Sequence, residues 1–199
     1  MQRLKSETRP HHERTEAQVR LMDPDLTPTA YRRHLEALHG FYAPLETRLA
    51  GLGLDAVAGL SVHARWKVPL LVEDLRALGH DDASLARLPR CGELPSLAGV
   101  PEALGCLYVL EGSTLGGQLI LRHLRRHFDG TPLGPFAFFR AYGDDVGPRW
   151  RAFGEAVNQA SVAAADDAFD SRAVKGAQDT FDAFAAWLRR EQAHASVSA

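Results

Sequence analysis

The stretch LYVLEGSTLGGQLIL, Leu107–Leu121, reads as a helix by its apolar positions, yet carries Gly112, Ser113, Thr114, Gly116 and Gly117 at its centre. Each interior glycine costs a helix about 1 kcal/mol relative to alanine. Glycine also removes side-chain bulk and lets another group approach the backbone closely. Gly112, Gly116 and Gly117 are spaced i, i+4 and i+5 and so clear one helix face. Two readings follow. One is close packing of a neighbouring helix. The other is a bent helix lying across a flat ligand, with backbone and the Ser113 and Thr114 hydroxyls turned toward a reacting atom.

The rest of the chain also repeats with a helical period. Leu4, Thr8, His12, Thr15, Val19 and Met22 recur at steps of four and three, which predicts a first helix that starts near Thr8 or bends there because of Pro10. Thr27-Pro28 is a helix start, and the helix it opens runs through Tyr31, Leu35, Leu38, Tyr42, Leu45 and Leu49, with Pro44 expected to kink or split it. A third helical segment covers Val62–Leu78, with Pro69 expected to act in the same way; a short helix covers Asp82–Leu88 and a loop Cys91–Gly99. Pro101 opens the glycine-centred segment, which runs to Phe128. Two further helices are expected, Val146–Ala165 and Ser171–Gln192, then a frayed tail over 193–199. No alternating strand pattern exceeds four residues. The expectation is one all-α domain of seven or eight helices.

Charge narrows the function. The 199 residues carry 23 Lys and Arg against 25 Asp and Glu, so no basic stripe suits a nucleic-acid backbone. Uncharged apolar runs fall short of a membrane span of ~20 residues. No signal-peptide pattern opens the chain, and the two cysteines, Cys91 and Cys106, have no metal-type spacing. The protein is expected to be cytoplasmic with free thiols.

A large planar cofactor such as heme is a natural occupant of the glycine-cleared face, and heme iron needs an axial ligand, most often histidine. HHERTE offers His11 and His12. On the apolar stripe read above, His12 faces inward and His11 lies about 100° around the helix. Glu16, one turn later, is placed to orient the imidazole. Lys5 shares the face about 10 Å away, within reach of a carboxylate on the heme edge. Arg149 and Arg151 are further candidates for that carboxylate. Arg122, Arg125 and Arg126 form a basic helix end suited to docking an acidic electron donor.

Together the two segments resemble the heme oxygenase family. LKSETRPHHERTE resembles the proximal helix of that family, with Lys5, Thr8, His12 and Glu16 at its marked positions, and LYVLEGSTLGGQ resembles its distal helix. GPRWRAFGEAVN and TFDAFAAWLRR are similar to later helices of bacterial members. The resemblance implies a heme sandwiched between the two helices. His12 would ligate iron, Gly112 and Gly116 would touch the ring, and Tyr108 would reach a propionate with Lys5. Many members place an aspartate where this chain has Ser113; the EGSTLG form is similar to the bacterial branch, including enzymes encoded beside bacteriophytochromes. The implied activity is oxidative cleavage of heme to biliverdin, carbon monoxide and iron. It would use O2 and electrons from a ferredoxin or flavoprotein reductase, since no nucleotide-binding fingerprint is present. Two alternatives stay open: a heme carrier without catalysis, and a di-iron protein built on Glu36-x-x-His39 and Glu191-x-x-His194.

Overall fold

The helices begin and end where caps and prolines allow. In the computed structural model, which describes residues 1–197, α1 spans Gln2–Glu16, α2 Pro28–Ala50, α3 Val68–Ala77, α4 Asp82–Arg87, α5 Val100–His127, the single turn α6 Ala137–Arg140, α7 Val146–Ala164 and α8 Phe169–Val197. Three short 3-10 turns lie at Leu54–Ala56, Val62–Arg65 and Gly143–Asp145, and no strand occurs among the described residues. Thr27 caps α2 by accepting from the Ala30 N–H, with Pro28 just inside the helix. Asp81 and Ser84 cap α4 reciprocally.

The prolines behave in two ways. Pro69 falls in the first turn of α3, so the expected Val62–Leu78 segment divides into a 3-10 turn and a helix. Pro10 and Pro44 instead sit inside unbroken helices. At Pro44 the compensation is visible: proline cannot donate to the Gly40 carbonyl, and that carbonyl accepts from the Cys91 N–H at 2.9 Å. The first helix therefore starts at Gln2, not near Thr8, and ends at Glu16. Val19 and Met22 lie beyond it, and Met22 is exposed while its neighbour Leu21 is buried. At the other end α8 continues past Gln192 to Val197, and the last two residues of the expected tail, 198 and 199, lie outside the described residues.

One core links residues from Leu4 on α1 to Trp187 on α8. Its centre is α5, long and apolar enough to cross a membrane by length and composition, but packed here against α6, α7 and α8 with more than half of its apolar window buried. The contact of α5 with α8 is very close. A Cβ added at Gly105 would fall on the Ala173 carbonyl, and one at Gly176 on the Glu102 carbonyl. These two glycines, outside the opening stretch, perform the helix packing that was one of the readings of that stretch.

Both α1 and α5 lie along α8 and barely touch each other. Along α1 the partners advance in step: Arg3 with Ser171, the Glu7 carbonyl with Gln178, His11 with Asp182. Along α5 they do likewise, Glu102 against Gly176 and Cys106 against Thr180. The two helices therefore run in the same direction, side by side on α8.

Candidate active site between the first and fifth helices

The two helices approach each other at the Tyr108 phenol and the Thr8 side chain, whose own hydroxyl donates to the Leu4 carbonyl. Because they run in the same direction, one turn further along each brings His12 on α1 and Gly112 on α5.

On α1 the buried stripe is Leu4, Thr8 and Thr15, and the residue between them that turns toward α8 is His11. This corrects the expected stripe: the spacing is four, three, four, which selects 11 and not 12. The His11 Nδ1 lies 2.8 Å from Asp182 Oδ1, with Arg14 2.9 Å away. Thr15 donates to the His11 carbonyl at 2.9 Å. His12 sits on the flank of the stripe, its side chain 52% exposed and its ring edge-on to Phe181. Its Nδ1 faces Glu16 Oε2 at 3.6 Å, too long for a direct hydrogen bond but right for the one-turn pairing expected of these residues. His11 is thus engaged, while neither ring nitrogen of His12 makes a hydrogen bond among the described residues.

On α5 the structure separates the glycines. Gly116 has open space where a Cβ would point, and Gly112 meets only the Trp150 ring, at 3.6 Å. Gly117 is buried against the Phe139 backbone of α6 and does not join that face. Ser113, Leu115, Gly116 and Leu119 are exposed although α5 is the core helix. Leu115 and Leu119 are two of the four large apolar side chains that the described residues leave exposed. Apolar surface beside bare backbone is the lining that a flat apolar ligand requires.

The two hydroxyls also differ. Thr114 is buried and donates to the Glu111 carbonyl at 2.7 Å, so it faces into the fold and not toward the open face. Ser113 donates to the Leu110 carbonyl at 2.8 Å and stands 3.4 Å from the Tyr42 hydroxyl. Burial holds the Tyr42 phenol well above its ordinary pKa, so Tyr42 remains a protonated donor behind Ser113.

The cations sort in the same way. Lys5 and Arg151 are exposed and make no ion pair or hydrogen bond among the described residues. Arg149 donates to the Ala64 carbonyl at 3.3 Å and stacks on the Tyr142 ring at 4.4 Å.

Sequence reading missed the buried charge cluster behind Gly112. Glu111 accepts from Arg65 at 2.5 Å, Lys67 at 2.6 Å and the Tyr142 hydroxyl at 2.7 Å. Glu46 accepts from the Lys67 and Val68 backbone N–H groups. All four charged side chains are buried. Removing one member of such a group strands the others, at a typical cost of 3–5 kcal/mol, so the turn of α5 leading into Gly112 is firmly anchored. The available signal was Glu111 itself, an acid inside an apolar run.

The di-iron arrangement is not assembled. Arg90 occupies His39 Nδ1 at 2.6 Å, Glu36 pairs with His80 at 2.9 Å, and no group of three metal-ligating side chains gathers among the described residues.

Comparison with known proteins identifies the family. The family model described as heme oxygenase matches residues 1–190. A protein named heme oxygenase from Xanthomonas campestris pv. campestris (strain 8004) is 34% identical over 171 residues, covering 85% of this chain and 93% of that protein. The crystal structures of the NO- and CO-bound heme oxygenase from Neisseria meningitidis share the fold with a TM-score of 0.73 at 22% identity, over 96% of this chain and 90% of that one. A glycine-opened core helix beside a free histidine, carried on a helical fold of this kind and matched along nearly its whole length, places the chain in the heme oxygenase family.

Proposed function

We propose that the chain cleaves heme, its substrate, to biliverdin with release of carbon monoxide and iron, using O2. The observation that carries the proposal is the open face at Gly112 and Gly116, one turn beyond the Thr8–Tyr108 contact and level with His12. The residues present fit a heme: an unbonded imidazole on one helix, bare backbone and exposed leucines on the other, and two unpaired cations, Lys5 and Arg151, for its carboxylates. Bound in this way, the heme supplies the iron that activates oxygen and the ring that is oxidised.

The protein would hold and orient it. His12 would donate an imidazole nitrogen to iron, with Glu16 steadying the other ring nitrogen. Gly116 would let the ring lie against backbone, with Gly112 beside its margin, and the leucines would exclude water from its edge. Ser113 takes the position where many relatives carry an aspartate. Its hydroxyl, with the Tyr42 phenol behind it, would order the water that delivers protons. Electrons would come from a ferredoxin or flavoprotein reductase, for which Arg122, Arg125 and Arg126 offer a basic surface. A bacteriophytochrome would be a fitting acceptor of the biliverdin, a reading supported by the EGSTLG resemblance. Two buried free thiols suit the reducing cytoplasm.

The test is a visible spectrum of the protein mixed with hemin, then supplied in air with ascorbate, catalase and an iron chelator. A Soret band that decays into the broad red absorbance of biliverdin is the expected result. A Soret band that persists, with ascorbate and with a ferredoxin system alike, would make the chain a heme carrier. No Soret band would reject the heme reading.

A further inference from the structure

The two glycines of the open face are not equivalent. Gly116 faces empty space, whereas the Gly112 Cα looks onto the six-membered ring of Trp150, whose Cη2 and Cζ3 would lie 3.6 and 3.7 Å from an added Cβ. Trp150 comes from the first turns of α7, and its ring is fixed on two sides. It stacks on Phe153 with centroids 5.8 Å apart and 27° between planes, and it tilts against Tyr108 at 5.5 Å. Phe153 is fully buried and Tyr108 packs against the core, so the ring has firm neighbours on both sides. The preceding residue, Arg149, anchors this turn of α7 to Tyr142 and Ala64. The following residue, Arg151, is an unpaired cation.

Trp150 also differs from the other two tryptophans. Trp66 donates its indole N–H to His63 and Trp187 donates to the Ala37 carbonyl, both bonds within the fold. The Trp150 N–H has no acceptor among the described residues. That nitrogen is not among the buried atoms left without a partner, so it is open to solvent. Here the ring is held by packing alone, at the margin of the open face.

We propose that Trp150 is a specificity-determining residue: a fixed wall at the Gly112 end of the slot that seats a planar substrate over Gly116 and so selects which edge of the ring is presented for oxidation. The proposal rests on the heme reading above. Packing sets the limits. A ring against bare backbone needs about 3.5–4 Å of separation, and at Gly112 that depth is already taken by the indole. A substrate ring is therefore displaced toward the open glycine, while Arg151, adjacent to the wall, fixes the side on which a carboxylate can anchor. A wall on one side and a cation beside it define a single in-plane orientation, which bare backbone alone would not.

The test compares the wild-type chain with Trp150→Ala and Trp150→Phe. Three readouts are taken: hemin affinity from the Soret titration, the hyperfine-shifted heme-methyl resonances of the ferric cyanide complex, and the biliverdin isomers separated after ascorbate turnover. One dominant set of methyl resonances and one dominant isomer are expected for the wild type and for Trp150→Phe, which keeps a flat ring at the wall. Trp150→Ala should bind hemin within a few-fold of wild type, show a second methyl set, and change the isomer ratio severalfold. An unchanged methyl pattern and isomer ratio in Trp150→Ala would overturn the role of Trp150 and leave the heme reading intact. A Trp150→Phe protein as mixed as Trp150→Ala would overturn the wall and point to the N–H. A wild-type chain with no Soret band would overturn both readings together.

Discussion

At the scale of single residues, the most consequential side chains are those whose environment shifts their chemistry. Glu46 is buried, and burial lifts its carboxyl from the ordinary 4.5 to about 7 even though the Lys67 and Val68 N–H groups pull the other way. A carboxyl with a raised native pKa holds its proton more tightly in the folded state. Its contribution is fully present below about pH 4.5 and is lost as pH rises through 7. Between pH 5.5 and 8 this amounts to about 2 kcal/mol. Urea unfolding of Glu46→Gln at those two values should show the stability difference between them reduced by about that amount. An unchanged difference would mean that Glu46 titrates normally. Such residues mark the limit of reading from sequence. Glu46 and Glu111 look like any acid on a helix, and their partners Arg65 and Lys67 lie about twenty and forty-five positions away, where no periodicity connects them. His12 and Glu16, by contrast, are one turn apart on one helix, and local geometry alone paired them. The stripe that assigned His12 to the interior failed for a related reason. Steps of four and three admit two registers, and only α8 determines that His11 is the one packed against it.

At the scale of elements, the glycines show why composition alone cannot separate packing from binding. Gly105 and Gly176 each stand without another glycine within four positions, yet they allow α5 and α8 to pack nearly backbone to backbone. Gly112 and Gly116 resemble a packing motif, yet no backbone packs on either: Gly116 faces open space and Gly112 meets only the Trp150 ring. The distinction predicts opposite mutational signs. Gly105→Ala places a methyl group on the Ala173 carbonyl and should cost at least 2 kcal/mol, the range of an overpacked core. Gly116→Ala meets nothing and should raise apo stability by up to ~1 kcal/mol through helix propensity, while weakening hemin binding. Thermal melts and Soret titrations on the two variants measure both effects. A destabilised apo Gly116→Ala would show that this face is packed after all. The start of α2 was legible because Thr27 and Pro28 act locally. The uninterrupted passage of α2 through Pro44 was not, because the Cys91 N–H that accepts the role of partner to the Gly40 carbonyl comes from another part of the chain.

At the scale of the whole molecule, α8 acts as a shared bed. It carries α1 and α5 in the same direction, with Thr8 and Tyr108 approaching at one point, Trp150 over Gly112, and open space at Gly116. The buried cluster of Arg65, Lys67, Glu46 and Glu111 braces the far side of α5, so the open face belongs to an anchored helix and not to a loose one. All-α architecture was legible from the helical period along the chain, and the site segments from their resemblance to a known family. The side-by-side course of α1 and α5 was not, since it is set by where each meets α8. The central claim, that this site holds a heme through His12, is tested most directly by resonance Raman spectroscopy of the ferrous heme complex. An iron–histidine stretching band is expected in the wild type and in His11→Ala, with its loss in His12→Ala and its return when imidazole is added to His12→Ala. A band that survives in His12→Ala and disappears in His11→Ala would contradict it.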